Sequence, residues 1–133
     1  MLSLDTNILV RWLVADDDRQ TRRARQLFES AALRQDVLFV PVTVVLELEW
    51  VLRSRYRYDK GSALQALTAL LETQELELQN EPAVERALHA CRQPGADFAD
   101  CLHAGLCASA GQSPLLSFDV KAARVAGIEW VDA

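Results

Sequence analysis

Cysteine, glycine and long apolar runs are all scarce in this chain, and each scarcity excludes a class of protein. The three cysteines, Cys91, Cys101 and Cys107, are odd in number and have no CxxC spacing. We therefore interpret them as free thiols in a reducing compartment, which favours the cytoplasm. None of the five glycines forms a GxGxxG or GxxxxGK motif, which argues against a nucleotide-binding phosphate loop. No apolar run reaches the roughly 18 residues of a membrane span, and we expect no signal peptide.

Basic charge is also limited and unevenly distributed. The formal net charge is −5, which argues against a purely electrostatic nucleic-acid binder. Lysine occurs only twice, whereas arginine occurs 12 times and clusters at 19–25 and 53–57. Arginine is favoured where phosphate is bound in a bidentate way, but a charge run is more often a solvated helix face. The composition leaves both interpretations of the arginines open.

Short apolar strands alternate with helices along the whole chain. Its length predicts one domain over residues 1–133. Strands separated by helices predict a parallel sheet covered on both faces, an α/β/α sandwich. In such folds ligands bind beyond the carboxyl ends of the strands. The predicted strands are 2–4, 37–40, 76–78, 114–118 and 128–131, and helices are predicted between them.

Aspartates follow two of these strands and open the helix between them. Asp5 comes directly after the first strand, and Asp119 follows the strand in "PLLSF". Asp97 and Asp100 lie at the start of one helix, three residues apart and so on neighbouring faces of one turn. Three separate segments are therefore expected to place carboxylates at the carboxyl-end side of one sheet.

Glutamate 47 lies in an otherwise apolar helix, "VPVTVVLELEWVL". The helical wheel places it beside Val44 and Val51, at the border of the buried face. Glu49 faces another way, and we expect it to be solvated. A buried carboxylate is costly unless it is paired. Glu47 by itself is equally consistent with a partly exposed boundary residue, but together with the aspartates it becomes a candidate ligand.

Clustered carboxylates repel one another, and Lys121 is the only lysine near them in sequence. A hard divalent cation such as Mg²⁺ or Mn²⁺ would neutralise such a set of oxygen donors. A metal held this way can activate water and stabilise charge on a phosphodiester. The two histidines, His89 and His103, give little support to a ribonuclease in which paired histidines exchange protons with the 2′-hydroxyl. His103 follows Asp100 by one turn, and we interpret it as a helix-surface or core-edge residue.

Several motifs together resemble one family. "LDTNIL", a glutamate in the helix after the second strand, "ADFADCLHAGLCASAG" and "LLSFD" look like the PIN-domain ribonucleases, and more narrowly the VapC-type toxins of type II toxin–antitoxin systems. The motif "DTN" alone is weak, but four acidic positions in this order are a strong signal. The resemblance covers essentially the whole chain.

The resemblance implies a fold and a set of site residues. The family fold is a five-stranded parallel sheet between helices, with the first strand beside the "LLSF" strand. The acidic positions that would bind one or two Mg²⁺ or Mn²⁺ ions correspond to Asp5, Glu47, Asp100 and Asp119. Supporting positions correspond to Asp97, Thr6, Asn7 and Ser117, the last standing where a threonine is usual.

The resemblance also implies an activity and partners. Toxins of this kind cleave RNA, often tRNA or ribosomal RNA, and are usually homodimers. Each is paired with an antitoxin (VapB-type or similar) that inserts a basic side chain into the acidic site. The expected reaction is hydrolysis by a water activated at the metal, leaving a 5′-phosphate and a 3′-hydroxyl. Arg11, one turn after Asn7, is a candidate RNA-phosphate contact, whereas we expect Trp12 and Trp50 to pack in the core or a dimer interface.

Two other functions remain open from the sequence. The acidic site could belong to a metal-dependent phosphohydrolase that acts on small phosphate esters. It could also be a non-catalytic pocket that receives a basic partner peptide. Chelator-sensitive cleavage of RNA separates the toxin from the binding module, and a chromogenic phosphate ester separates it from the phosphohydrolase.

Overall fold

Strands and helices alternate along residues 2–132, the part of the chain that this computed structural model describes. The chain up to Gln79 forms one unit and the chain from Asn80 a second. The first unit contains β1 (Leu2–Ser3), α1 (Thr6–Val14), α2 (Asp18–Leu33), β2 (Leu38–Val40), α3 (Val42–Ser54), α4 (Lys60–Leu71) and β3 (Leu76–Leu78). The second contains α5 (Glu81–Cys91), α6 (Phe98–Ser109), β4 (Leu115–Ser117), the 3₁₀ turn η1 (Ala122–Arg124) and β5 (Ile128–Trp130). The predicted alternation is confirmed, and a single domain over residues 1–133 stays a prediction.

Aspartate side chains cap the N-termini of α2 and α4 in the first unit. The Asp17 carboxylate accepts a hydrogen bond from the backbone N–H of Gln20 (2.9 Å) at the start of α2. Asp59 accepts one from the N–H of Ser62 (2.7 Å) at the start of α4. These hydrogen bonds satisfy N–H groups that have no partner within the helix, which fixes both starting points.

The strands form two parallel sheets among the described residues. In the first unit the order is β1-β2-β3, with Leu2 opposite Leu38 and Leu38 opposite Leu76. In the second unit β4 pairs with β5, with Leu115 opposite Ile128. Every strand therefore pairs with the strand that precedes or follows it in the chain.

The predicted five-stranded sheet is thus wrong for residues 2–132, as is the predicted pairing of the first strand with the "LLSF" strand. The α/β architecture and the parallel direction are confirmed. The predicted pairing fails because apolar periodicity identifies a strand in the sequence but does not identify the strand that it pairs with. Each strand has only two or three residues, so each pair of strands shares few hydrogen bonds. The pairs that form are all between strands that follow one another in the chain and are joined by helices or by the 3₁₀ turn η1.

Apolar faces of the helices form the core of each unit. In the first unit α1 contacts α2 and α3, and the rings of Trp12 and Phe28 stack with centroids 4.7 Å apart. The stacked pair joins α1 to α2, which confirms a packing role for Trp12. No helix among residues 2–132 is long and apolar enough to cross a membrane.

In the second unit α5 packs closely on α6 at Gly105. A Cβ built on Gly105 would lie 2.8 Å from the carbonyl oxygen of Ala83. That distance is shorter than a normal van der Waals contact, and the obstructing atom is backbone. Glycine at this position therefore permits the approach of the two helices.

We predict that Gly105→Ala lowers the free energy of unfolding by about 1–3 kcal/mol, because the added methyl group forces the two helices apart. Gly61→Ala in α4 is the matched control, since its Cβ would meet nothing closer than the Asp59 carboxylate at 3.6 Å. That change should stabilise the protein by about 0.5–1 kcal/mol through helix propensity. Urea unfolding of both variants measures the difference, and an unchanged Gly105→Ala variant would contradict the packing argument.

Candidate functional site

The turn after β1 places Asp5 and Thr6 at the end of the strand. Asp5 is exposed, and its Oδ1 accepts a hydrogen bond from the backbone N–H of Thr6 (2.8 Å), so Asp5 is the N-cap of α1. Thr6 is buried, with 4% of its surface exposed, and its hydroxyl donates to the carboxylate of Glu47 on α3. Thr6 therefore connects the turn that carries Asp5 to the helix that carries Glu47.

The two glutamates of α3 differ in burial, and Glu49 has the environment opposite to the one expected. Glu47 is exposed and Glu49 is 3% exposed, so the prediction that Glu49 is solvated is wrong. Arg53, one turn further on, binds the Glu49 carboxylate through two nitrogens, with Nη2 to Oε1 at 3.0 Å. The apolar residues of α3 cover a wide arc of the helix, so a helical wheel does not show which glutamate is buried. Contacts with neighbouring elements decide this.

Four predicted site residues of the first unit line one cavity of ≈ 430 Å³. They are Asp5, Thr6, Asn7 and Glu47. Trp50, expected in the core or in a dimer interface, is not a core residue, because 58% of its surface is exposed and it lines this cavity. A place for Trp50 in a dimer interface stays a prediction. Arg55 lines it as well. The arginine run at 53–57 was the only sequence signal for Arg55, and nothing in the sequence distinguished Trp50 from a core residue.

Arg11 also lines this cavity, and its guanidinium binds groups within the same unit. Its Nη1 lies 3.0 Å from both Asp16 Oδ1 and the Tyr56 hydroxyl, and its Nε donates to Gln20. The hydrogen bond with Tyr56, followed by the charge of Asp16, raises the pKa of Arg11 above its usual value. Arg11 thus fixes the corner between α1 and α2, and a contact with RNA phosphate stays a prediction.

In the second unit the charges of two predicted residues act on a third, Asp100. Asp100 lies in the first turn of α6, and Asp97 directly precedes that helix. Burial raises the pKa of Asp100, and the charges of Asp97 and Asp119 raise it further, whereas His103 and Lys121 lower it. The carboxylates are therefore close enough for each charge to oppose ionisation of Asp100.

Asp119 is fixed by hydrogen bonds within its own turn. Its Oδ1 accepts from the backbone N–H of Lys121 (2.9 Å). Its backbone N–H donates to the hydroxyl oxygen of Ser117 (3.0 Å). The hydroxyl of Ser117 thus stabilises the turn after β4 and fixes the position of the Asp119 backbone.

The donor chemistry of both units suits a hard divalent cation. The first unit supplies carboxylate oxygens from Asp5 and Glu47, and the second from Asp97, Asp100 and Asp119. Carboxylate oxygens are the donors that Mg²⁺ and Mn²⁺ prefer. Across residues 2–132, however, no three His, Cys, Asp or Glu side chains are arranged so that they could hold a metal ion. The side chains fit the ion by chemistry, and the complete ligand set stays a prediction.

The raised pKa of Asp100 gives a prediction for the metal-free protein. A carboxyl group with a higher pKa in the folded state contributes stability when protonated, and loses it as pH rises through the folded pKa. In EDTA at neutral pH, Asp100→Asn should therefore unfold at a higher temperature than wild type. The difference should disappear as pH falls below the range in which aspartate ionises. Glu85→Gln, at an exposed carboxylate on α5, is the control, and a pH-independent effect of Asp100→Asn would contradict the argument.

Comparison with known proteins identifies the family. A model of the PIN domain matches residues 2–128. The chain is also similar to a VapC ribonuclease of Aquifex aeolicus (strain VF5), with 24% identity over 118 residues that cover 89% of this chain and 87% of the relative. The resemblance predicted from the sequence motifs is therefore confirmed. Since the family model covers nearly the whole chain, the protein belongs to the PIN domain family.

Proposed function

We propose that this protein is a metal-dependent endoribonuclease that acts as the toxin of a toxin–antitoxin pair. Its membership of the PIN domain family and its similarity to a VapC ribonuclease support a nuclease. The observation that carries the proposal is the group of carboxylates at Asp100, whose pKa is raised by burial and further by the charges of Asp97 and Asp119. Carboxyl groups whose pKa is perturbed by burial together with specific neighbouring charges are concentrated at functional sites.

The proposed metal ligands are Asp5, Asp100, Asp119 and Glu47, and the proposed ion is Mg²⁺ with Mn²⁺ as a substitute. When bound, such an ion supplies activation of water and neutralises charge on the scissile phosphate. The Thr6 backbone N–H holds the Asp5 carboxylate, and the Thr6 hydroxyl holds Glu47. Asp97 is proposed to raise the local negative charge that attracts the ion.

The proposed substrates are tRNA or ribosomal RNA, and the proposed partner is a VapB-type antitoxin. Asp5 and Glu47 are exposed and line a cavity, so a basic antitoxin side chain could reach them. We include a homodimer in the proposal on the strength of the family resemblance. We also propose the cytoplasm as its location, because an odd number of cysteines without a CxxC spacing is typical of proteins in a reducing compartment.

RNA cleavage by the purified protein tests the proposal. With total bacterial RNA we expect discrete cuts that need Mg²⁺ or Mn²⁺, cease in EDTA and leave 5′-phosphates. Asp5→Asn should lower the rate by at least about 100-fold, because loss of a residue that only supports a metal ligand already costs roughly 10–100-fold. Its thermal unfolding should be no worse than that of wild type, because one repelling charge is lost.

The control for Asp5→Asn is Asp18→Asn, at an exposed position in the first turn of α2. Cleavage that persists in EDTA, or cyclic 2′,3′-phosphate products, would exclude the proposed chemistry. Hydrolysis of a chromogenic phosphate ester without RNA cleavage would instead favour the phosphohydrolase. Binding of a basic peptide with no hydrolysis would favour the non-catalytic pocket.

The two glutamates of α3 provide an internally matched test. Glu47→Gln should lower the cleavage rate and leave the unfolding temperature nearly unchanged, because Glu47 is exposed and lines the cavity. Glu49→Gln should leave the rate of the folded protein unchanged and lower the free energy of unfolding by about 1–2 kcal/mol through loss of the charge pair with Arg53. Rate assays and urea unfolding of both variants measure the contrast. Equal effects on the rate would contradict the assignment of Glu47.

A further inference from the structure

A second cavity, of ≈ 490 Å³, lies within the second unit and is separate from the acidic residues themselves. One wall comes from the last turn of α5 and the loop at 93–96, and the other from residues 121–126. His89, Lys121 and Arg124 line it from these two walls. None of the lining residues identified in the described part of the chain is acidic.

The charge of this cavity is opposite to that of the whole protein. The chain carries a net charge of −5 and has only two lysines, yet one of those lysines and an arginine line the same cavity. Among residues 2–132, no ion pair or side-chain hydrogen bond is found for Arg124. Arg11 and Arg53, in contrast, pair with carboxylates of the protein. The guanidinium of Arg124 is therefore available to an anion from outside.

Lys121 connects the cavity to the carboxylates of the same unit. Its backbone N–H binds the Asp119 carboxylate at 2.9 Å, and its charge acts on Asp100. Its side chain lies against the loop at Gly95, where a Cβ would come within 3.9 Å of Lys121 Cε. Gly95 has φ +79°, a conformation that glycine adopts without strain. Lys121 therefore links the cavity to Asp119, one of the proposed catalytic carboxylates.

We propose that this cavity binds a backbone phosphate of the RNA strand next to the one that is cleaved. The inference rests on the proposed function, and deepens it by assigning a substrate-binding site to residues that the metal does not use. A guanidinium binds phosphate oxygens through paired N–H groups, and an ammonium adds a point charge. Cations placed beside the acidic cluster would hold the polyanionic strand where the cluster alone would repel it.

The cavity volume favours a phosphate group, and so does the lack of carboxylates among the lining residues within the described range 2–132. A volume of several hundred cubic ångströms accommodates a nucleotide-sized group. Free inorganic phosphate has the same chemistry, so the test must separate it from an RNA phosphate. We favour the RNA phosphate because Lys121 interacts with both the cavity and the proposed catalytic residues.

Binding of RNA in EDTA tests the proposal without requiring cleavage. A fluorescein-labelled single-stranded RNA is titrated at several salt concentrations, and the logarithm of the affinity is plotted against that of the salt concentration. Arg124→Gln should weaken binding and reduce the magnitude of the slope by about 0.7, the value for one lost phosphate contact with a single strand. Arg86→Gln is the matched control, since Arg86 is an exposed arginine of α5 that does not line the cavity.

Thermal unfolding of each variant verifies that it is folded, and the outcomes separate this inference from the proposed function. If Arg124→Gln behaves like Arg86→Gln, the phosphate site is wrong, even where wild type cleaves RNA. If Arg124→Gln shows the expected change but wild type never cleaves RNA, the phosphate site stands and the proposed hydrolysis fails. If inorganic phosphate binds and Arg124→Gln leaves RNA binding unchanged, the cavity is a site for free phosphate and the inference is overturned.

Discussion

Repulsion between carboxylates is the constraint on which the candidate site depends. Asp100 is partly buried, and it is opposed by the charges of Asp97 and Asp119. Such an arrangement costs stability in the absence of a cation, because each additional negative charge makes ionisation of the others less favourable. The fold tolerates this cost in the second unit by fixing the turn after β4 with local hydrogen bonds. The same repulsion makes the site receptive to a hard cation.

Small hydroxyl side chains perform the positioning in both units. Thr6 uses its N–H for one carboxylate and its hydroxyl for another, and the oxygen of Ser117 accepts from the backbone of Asp119. These short side chains lose little rotamer entropy on ordering, so they fix acidic groups at low conformational cost. Glu47 and Glu49 show a second way in which the fold accommodates a carboxylate. A buried glutamate is neutralised by Arg53 within its own helix, whereas the exposed one keeps its charge beside the cavity.

Arginine has different roles in the two units. In the first unit Arg11 and Arg53 bind carboxylates of the protein, so these residues stabilise structure. In the second unit Arg124 lines a cavity that has no acidic lining among the described residues. A net negative chain can therefore still present a local cationic surface, because screening limits the reach of distant charges to about 10 Å at moderate salt.

The sequence by itself determined the order of the elements and placed their ends near the observed ones, since aspartate caps, proline and apolar periodicity act within a few residues. It also determined that acidic residues follow β1 and β4, because strand ends fix those positions. Only the tertiary structure decided which strands pair, which glutamate of α3 is buried and that Trp50 is exposed. It alone brought His89 and Arg124 to one cavity. These properties depend on which faces meet across elements distant in the chain, and local periodicity carries no information about that choice.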